Sequence, residues 1–261
     1  MKKIGLIFFC LFLFSLDLAA AEKIFPPAEK PERRFFLGEK IVFHIRYLGL
    51  TVGEASSEVK EIVKINGRDA YHIEIRIRSR SMLEWVYKVR DSHHTYIDVE
   101  CLHSLRCEKR TREGSHQQDE VMDYDQENHI GRFYSRKDNS RKEMLIPKNV
   151  QDQISCGFFF RTLDIRPDSK YLVQINADEK NWETEILTHK IKKMKIKKVG
   201  IFQAIEVEPV VMFQGFFVRR GKIRGWMSMD VRRIPLMAKA KVPVLGDITA
   251  VLAEYKPGKE I

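Results

Sequence analysis

Ser92, His93, His94 and Asp98, with Asp91 before them and His103 and His116 beyond, are the densest group of chemistry-bearing side chains in this 261-residue chain. Imidazoles and carboxylates ligate zinc, and Ser92, His94 and Asp98 are the residue types of a nucleophilic triad. Spacing supports neither. On a strand His93 and His94 point to opposite faces and need a bulge to share one ion, and a triad is defined in space rather than along the chain. The histidines therefore read as an ordinary strand pair. Asp123 and Asp125 sit beside a turn and read as turn formers. No Gly-x-Ser-x-Gly elbow, Walker loop, dinucleotide fingerprint or His-Glu-x-x-His helix occurs. The sequence thus names no catalytic residue, no cofactor and no metal.

Binding chemistry has more to stand on. Lys190 to Lys198 (KIKKMKIKK) is the most concentrated basic run. As a strand it sets Lys193, Lys195 and Lys197 on one face with Ile191. Such a row either meets phosphates as point charges or guards a solvated sheet edge. Arg76, Arg78 and Arg80 form a second row, and Arg219, Arg220, Lys222 and Arg224 a third. The rows act together only if the fold brings them onto one surface. Val210 to Val218 (VVMFQGFFV) is apolar on both faces, so Phe213 and Phe217 either pack in a core or line a cavity of a half-filled β shell. The candidate ligand-binding residues are therefore Lys193, Lys195, Lys197, Arg76, Arg78, Phe213 and Phe217.

The compartment follows from the first 21 residues. Lys2 and Lys3, the apolar run Ile4 to Leu16 and the Ala19-Ala20-Ala21 site have the form of a cleaved secretory signal. The run stops at Asp17, short of the roughly 20 residues of a spanning helix, and no second long apolar run follows. Cys10 lies inside the run after Phe9, unlike a lipid-acceptor cysteine. Cleavage removes two lysines and one aspartate, lowering the net charge of +10 by one. Outside the cytoplasm such an excess points to envelope lipids, anionic polymers or proteins rather than nucleic acid, or to simple solubility. Export also permits a disulfide. Cys101 and Cys107 bracket a short strand connection and are the candidate pair, with Cys156 left free in a buried helix.

The elements that hold these residues are strands. Residues 22–35, with Pro26, Pro27 and Pro31, form an extended lead-in. In Phe36 to Ser56, Ile41, Phe43, Ile45 and Tyr47 alternate with Val42, His44 and Arg46, and Gly49 and Gly53 allow the reversal. Asn66-Gly67 is the dipeptide of a type I′ hairpin. Tyr71, Ile73, Ile75 and Ile77 then face in. Ser81 to Tyr87 breaks the alternation as a crossing segment. A charged meander follows at 107–112, 117–124, 130–136 and 141–146, polar on both faces, as a wet sheet edge. Asp152 to Leu163 is the one helix, capped by Asp152, with its phenylalanine triplet as a plug of core. Eight further strands lie between Tyr171 and Tyr255, with 190–199 separate from 182–189. The fold class is mainly β: an antiparallel, barrel- or roll-like curved sheet with one principal helix near residues 152–163. Residues 36–256 form one β-rich domain, with 257–261 a tail.

Gly38-Glu39, Tyr47-Leu48-Gly49, Gly53-Glu54-Ala55, Asp91, the Asp152 to Arg161 helix, Gly225-Trp226, Asp230, Ile234-Pro235 and Leu252 to Tyr255 resemble, in order, the bacterial exported family called domain of unknown function 3108. The resemblance covers nearly all of the chain after the signal. It implies an envelope-exported, mostly antiparallel β fold and brings no activity or catalytic residues. The histidine-bearing meander and the Lys190 to Lys198 run depart from its pattern. The functional expectation is a periplasmic, non-enzymatic binding or carrier module for an amphipathic or anionic envelope component. The alternative is an interaction protein docking to another envelope protein, and the third reading is an envelope hydrolase.

Overall fold

The computed structural model describes residues 35–259 apart from 86, 214–215, 218–222 and 243–245, with backbone alone at 211–213, 216–217 and 242. The expected signal and all but the last residue of the lead-in lie outside the described residues. The strands are β1 (Lys40–Tyr47), β2 (Leu50–Ile65), β3 (Arg68–Ser79), β4 (Arg90–Asp98), β5 (Ser104–Glu113), β6 (His116–Asp125), β7 (Ile130–Ser135) and β8 (Arg141–Leu145). Helix α1 (Ser155–Thr162) follows, and then β9 (Lys170–Ala177), β10 (Lys180–Ile196), β11 (Gly200–Phe213), β12 (Phe216–Phe217), β13 (Ile223–Ser228), β14 (Pro235–Val242) and β15 (Gly246–Lys256). They form one antiparallel, curved and unclosed sheet in the order β8-β7-β6-β5-β4-β3-β2-β1-β15-β14-β13-β11-β10-β9, with β12 paired to β11. No helix among the described residues is long and apolar enough to cross a membrane.

Local chemistry explains the hairpins. Asn66 and Gly67 both take positive φ, 49° and 83°, as a type I′ turn requires. Beyond them Tyr71 and Ile73 are almost fully buried. Three details differ from the alternation pattern. Val42 is buried beside Ile41, because the ladder to β15 shifts between Val42 and Phe43 and resets which side chains face in. Residues 182–189 and 190–199 do not form two strands. Most of them belong to one long β10, whose pairing shifts at Thr188/Ile191 without a turn. The meander is not polar on both faces, since Met122 and Tyr124 pack with Ile146 and Val150 in a small core. Its last strand, β8, is a free edge and largely exposed.

The helix is the plug. Phe158 enters a cluster with Phe35, Val59, Tyr71, Ile73 and Ile97. Phe160 enters a second with Ile165, Val173, Ile175, Ile186 and Ile205, and Phe159 packs against both. Helix α1 thus joins the two halves of the sheet, and its three rings contribute on the order of several kcal/mol. It starts at Ser155 with Ile154 in the N-cap position and no side-chain cap there, so Asp152 is not the N-cap expected from sequence but the anchor of the turn before the helix. One Asp152 oxygen accepts the Ile154 and Ser155 N–H groups at 2.7 and 2.9 Å. The other accepts the Thr95 and Ser104 hydroxyls, each at 2.5 Å. At the other end Arg161, buried, donates to both oxygens of buried Glu39 at 2.7 and 2.9 Å.

The seam between β8 and β9 is stitched by polar groups. Gln151 bonds through its backbone to Gln174 and Asn176 of β9 and through its side chain to the Leu102 carbonyl at 3.0 Å. Asn181 donates to the Leu145 carbonyl at 2.7 Å. Lys109 pairs with Asp178 and Lys142 with Glu179 across the same gap.

Candidate functional site

The registers place several chain reversals side by side at one end of the sheet. Tyr47 pairs with Leu50 and with Ile248, and Val242 with Gly246. Gly53 pairs with Ser79, and the Arg80 N–H bonds the Val52 carbonyl at 2.9 Å. The β1–β2 turn, the crossing segment from Arg80 to Val89 and the β14–β15 reversal therefore share a rim. Four large apolar side chains stand in water there: Leu48, Leu50, Met82 and Trp85, at 79, 71, 70 and 84% exposure. Exposed apolar clusters of this kind mark contact surfaces. Arg46, Arg78, Arg80, Lys88 and Lys241 are exposed among them. None is in an ion pair among the described residues; Arg46 donates to the Gly49 carbonyl at 3.0 Å. Arg90, by contrast, is neutralised by Glu84 at 3.0 Å.

A groove of about 700 Å³ opens beside this rim. Leu48, Met237 and Val251 give it an apolar lining, and Arg46 and Lys241 set two cations on it. Asp247 also lines it, held at 2.6 Å by Lys239. Apolar surface flanked by uncompensated cations complements an anionic amphiphile. A smaller groove of about 400 Å³ is lined by charged residues and a histidine, and there Glu206 already takes Lys192 and Arg224 at 3.4 and 3.0 Å.

Titratable groups lie at the same end of β4 and β5. Burial, and then the neighbouring Asp91 carboxylate, push the Glu113 carboxyl up to about 7. Asp91 itself is buried and accepts the Arg112 N–H at 2.8 Å. Burial and the Glu113 charge raise the Tyr87 hydroxyl. His93 is lowered to about 4 by burial and then by Lys109, and so stays neutral.

The triad types do not assemble as the sequence grouped them. The Ser92 hydroxyl meets His94 Nε2 at 3.1 Å, but His94 Nδ1 meets His72 Nε2 at 2.9 Å, and His72 Nδ1 lies 3.5 Å from Glu61. Asp98 instead holds Arg68 at 2.6 Å. The Ser92–His94–His72–Glu61 chain runs across strand faces, with Tyr96 stacked on His72 at 4.8 Å, and touches neither groove. His93 and His94 occupy opposite faces, as alternation requires.

The basic rows do not meet. Lys193, Lys195 and Lys197 are exposed. β9 pairs with β10 only as far as Leu187, so Lys193 and Lys195 lie where β11 is the sole neighbour. That is the position of lysines guarding an edge. Six strands separate β10 from β3, which carries Arg76 and Arg78. Arg76 is paired with Glu74 at 2.6 Å, whereas Arg78 belongs to the rim. Of the third row, Arg219, Arg220 and Lys222 lie outside the described residues. Phe213 and Phe217 lie in the β11–β12 pairing, and their side chains are outside the description. The expected Cys101–Cys107 bridge is not formed, and all three described cysteines are free. Cys107 points into the Met122–Tyr124 core, while Cys101 stays in the β4–β5 turn beside Arg68. Sequence reasoning passed over Arg46, Leu48, Trp85 and Lys241. The signal for Leu48 and Trp85 was a pair of reversals, Tyr47 to Leu50 and Ser81 to Tyr87, with large apolar residues where polar ones are usual; Arg46 and Lys241 carried none.

Comparison with known proteins matches these observations at the level of fold. A β-barrel-like protein of domain of unknown function DUF1849 from Brucella abortus is similar with a TM-score of 0.59 at 11% identity, over 87% of this chain and 100% of that one. A candidate exported protein with a YmcC-like fold from Bacteroides fragilis gives 0.36 at 6% identity, over 87% and 99%. A candidate lipoprotein from Parabacteroides distasonis gives 0.38 at 10%, over 87% and 100%. No curated protein matches the chain. Residues 42–253 match the family described as "Protein of unknown function (DUF3108)". The chain belongs to that family.

Proposed function

We propose that this protein is an exported, non-enzymatic binding module of the cell envelope that holds an anionic amphiphile, a lipid of the envelope, at the rim groove. The carrying observation is the groove of about 700 Å³ with an apolar lining of Leu48, Met237 and Val251 and the cations Arg46 and Lys241. The exposed Trp85, Met82 and Leu50 beside it give an apolar surface to insert among acyl chains, and Arg78, Arg80 and Lys88 give charge to meet head groups. The secretory form of residues 1–21 supports a periplasmic location. Because helix α1 fills the space between the sheet halves, the reading places cargo at the rim rather than around the helix.

The test is flotation of the protein from residue 22 onward with vesicles of phosphatidylglycerol and phosphatidylethanolamine, against vesicles of phosphatidylcholine alone. Binding should require the anionic lipid, weaken with salt, and fall with Arg46→Glu combined with Lys241→Glu. Equal partitioning into both vesicles, or none, overturns the proposal. Retention of an envelope protein at the same rim in cellular crosslinking, with no vesicle binding, would put the docking reading in its place.

A further inference from the structure

The turn joining β4 to β5 gathers three ligating side chains away from the rim. Asp98 ends β4, Cys101 sits in the turn and His103 precedes β5. One ligand atom of each, a carboxylate oxygen, Sγ and a ring nitrogen, lies within 4.8 Å of the other two. Ligands about 2.0–2.3 Å from a common zinc ion sit somewhat closer than that to one another, so small side-chain rotations would complete the set.

His103 is the independent sign of a missing ligand. It is 6% exposed, and among the described residues neither ring nitrogen meets a partner in full hydrogen-bond geometry. The Asn149 side chain makes a loose hydrogen-bonding approach that acts to raise the ring's basicity, outside the geometry of a full hydrogen bond. A buried polar ring left bare on both sides is costly and unusual, and an ion is one of the few things that satisfies it. The bare ring also argues against a Cys–His–Asp nucleophilic triad, in which histidine is bonded to both partners. Asp98 is committed elsewhere: its Oδ1 accepts the Glu100 and Cys101 N–H groups at 2.8 and 2.7 Å, and its Oδ2 accepts Arg68 Nε at 2.6 Å. Those bonds fix the carboxylate as supporting groups fix a metal ligand.

The charges balance. A carboxylate and a thiolate neutralise a divalent ion. The adjacent Arg68, 3.7 Å from Cys101 Sγ, has a second counter-charge in Glu127 at 3.5 Å. Cys101 is exposed, which gives an entry path and room for a solvent ligand. We propose that Asp98, Cys101 and His103 form a divalent transition-metal site of the zinc class, with three protein ligands and a fourth position open to solvent.

Cobalt(II) reports thiolate ligation directly. The reduced protein from residue 22 onward, titrated with Co²⁺, should develop a sulfur-to-cobalt charge-transfer band and tetrahedral ligand-field bands, saturating at one ion per chain and displaced by Zn²⁺. Cys101→Ser should abolish the charge-transfer band, and Cys107→Ser should leave it. His103→Gln should weaken binding about tenfold or more. No charge-transfer band in the unmodified protein, or one that survives Cys101→Ser, overturns the site. Cys101 is exposed, so its variant tests ligation without testing the core.

Discussion

The Glu39–Arg161 pair fastens helix α1 to the start of β1 across 122 positions of sequence, and its removal can be costed. Both side chains are almost completely buried, 2 and 4% exposed. Two charge-assisted bonds join them, and Arg161 also donates to the Arg232 carbonyl at 3.0 Å. Its guanidinium lies over Phe158 and Phe35, with centroids at 5.5 and 5.9 Å. Breaking a buried pair from one side costs about 3–5 kcal/mol, because the remaining charge stays buried without its counter-charge. For Glu39→Gln the aromatic faces and the Arg232 carbonyl still serve Arg161, so the loss should be near the lower end, about 3 kcal/mol. For Arg161→Met, Glu39 keeps the Tyr255 hydroxyl at 3.4 Å, a weaker substitute, and about 4 kcal/mol is expected. The double variant Glu39→Gln/Arg161→Met removes both charges and should lose less than the sum of the singles by about 2 kcal/mol or more. Urea unfolding followed by tryptophan fluorescence measures all of this against a total stability on the order of 10 kcal/mol. Single losses below about 1 kcal/mol, or additive singles, would refute the view that this pair locks the plug.

Three further changes probe the same framework. Asp152→Asn removes the charge that serves two hydroxyls and two N–H groups, and should cost about 3 kcal/mol in the same unfolding assay; a loss within error would mean that the helix start is not anchored there. Gly53→Ala places a Cβ 2.7 Å from the Arg78 carbonyl oxygen, a backbone atom, and should cost about 1–3 kcal/mol by chemical denaturation, while a neutral result would show that β2 and β3 can part without penalty. Glu113 ionises near 7 when folded but near 4.5 in the ordinary case, so the folded state keeps a proton that the unfolded chain gives up; stability from this group is full below pH 4.5 and is lost as pH rises through 7. Glu113→Gln should therefore gain about 1–2 kcal/mol at pH 8, allowing for solvent screening, and little at pH 4; melting curves of the two proteins that run parallel from pH 4 to 8 would contradict this.

Much of the architecture was legible because short-range rules and tertiary structure agree here. Asn66-Gly67 turns as its left-handed preference dictates, Tyr71 and Ile73 face inward as alternation dictates, and Phe158 to Phe160 plug the sheet because three rings on one helix have nowhere else to be buried. The errors arose where long-range geometry overrode the local pattern. A ladder shift buries Val42 against its parity, and another carries β10 straight through residues 189–190, where composition changes but no turn residue occurs. The candidate site was less legible. Lys193 and Lys195 stand out by composition, yet composition carries no information about strand neighbours, and sheet order leaves them beside β11 alone. Arg46 and Lys241 are unremarkable in sequence, and become a pair only because β1 lies against β15 and β15 against β14. Cys101 and Cys107 were close in sequence, but a turn residue and an inward-facing strand residue have different surroundings.

The proposed site follows from what the plug does to the two ends of the sheet. Helix α1, Phe35, Glu39 and Asp152 concentrate buried charge and aromatic packing where β1 begins and β4 ends, and each is held by several partners. At the opposite end, where β1 ends and β4 begins, the tips carry Leu48, Leu50, Met82 and Trp85 into water, and Arg78, Arg80 and Lys88 have no ion-pair partner among the described residues. Solvation and folding alone favour neither exposed apolar tips nor unpaired cations clustered together, since polar turns and mixed charges would cost less. Leu145, Ile201 and Val231 are exposed at the first end as well, so what sets the rim apart is the coincidence of its apolar tips with the cations of the groove. On the reading proposed here, the rigid end holds the fold while the rim meets the membrane component, so substitutions such as Lys88→Glu should change vesicle binding and leave the unfolding midpoint within about 0.5 kcal/mol of its original value.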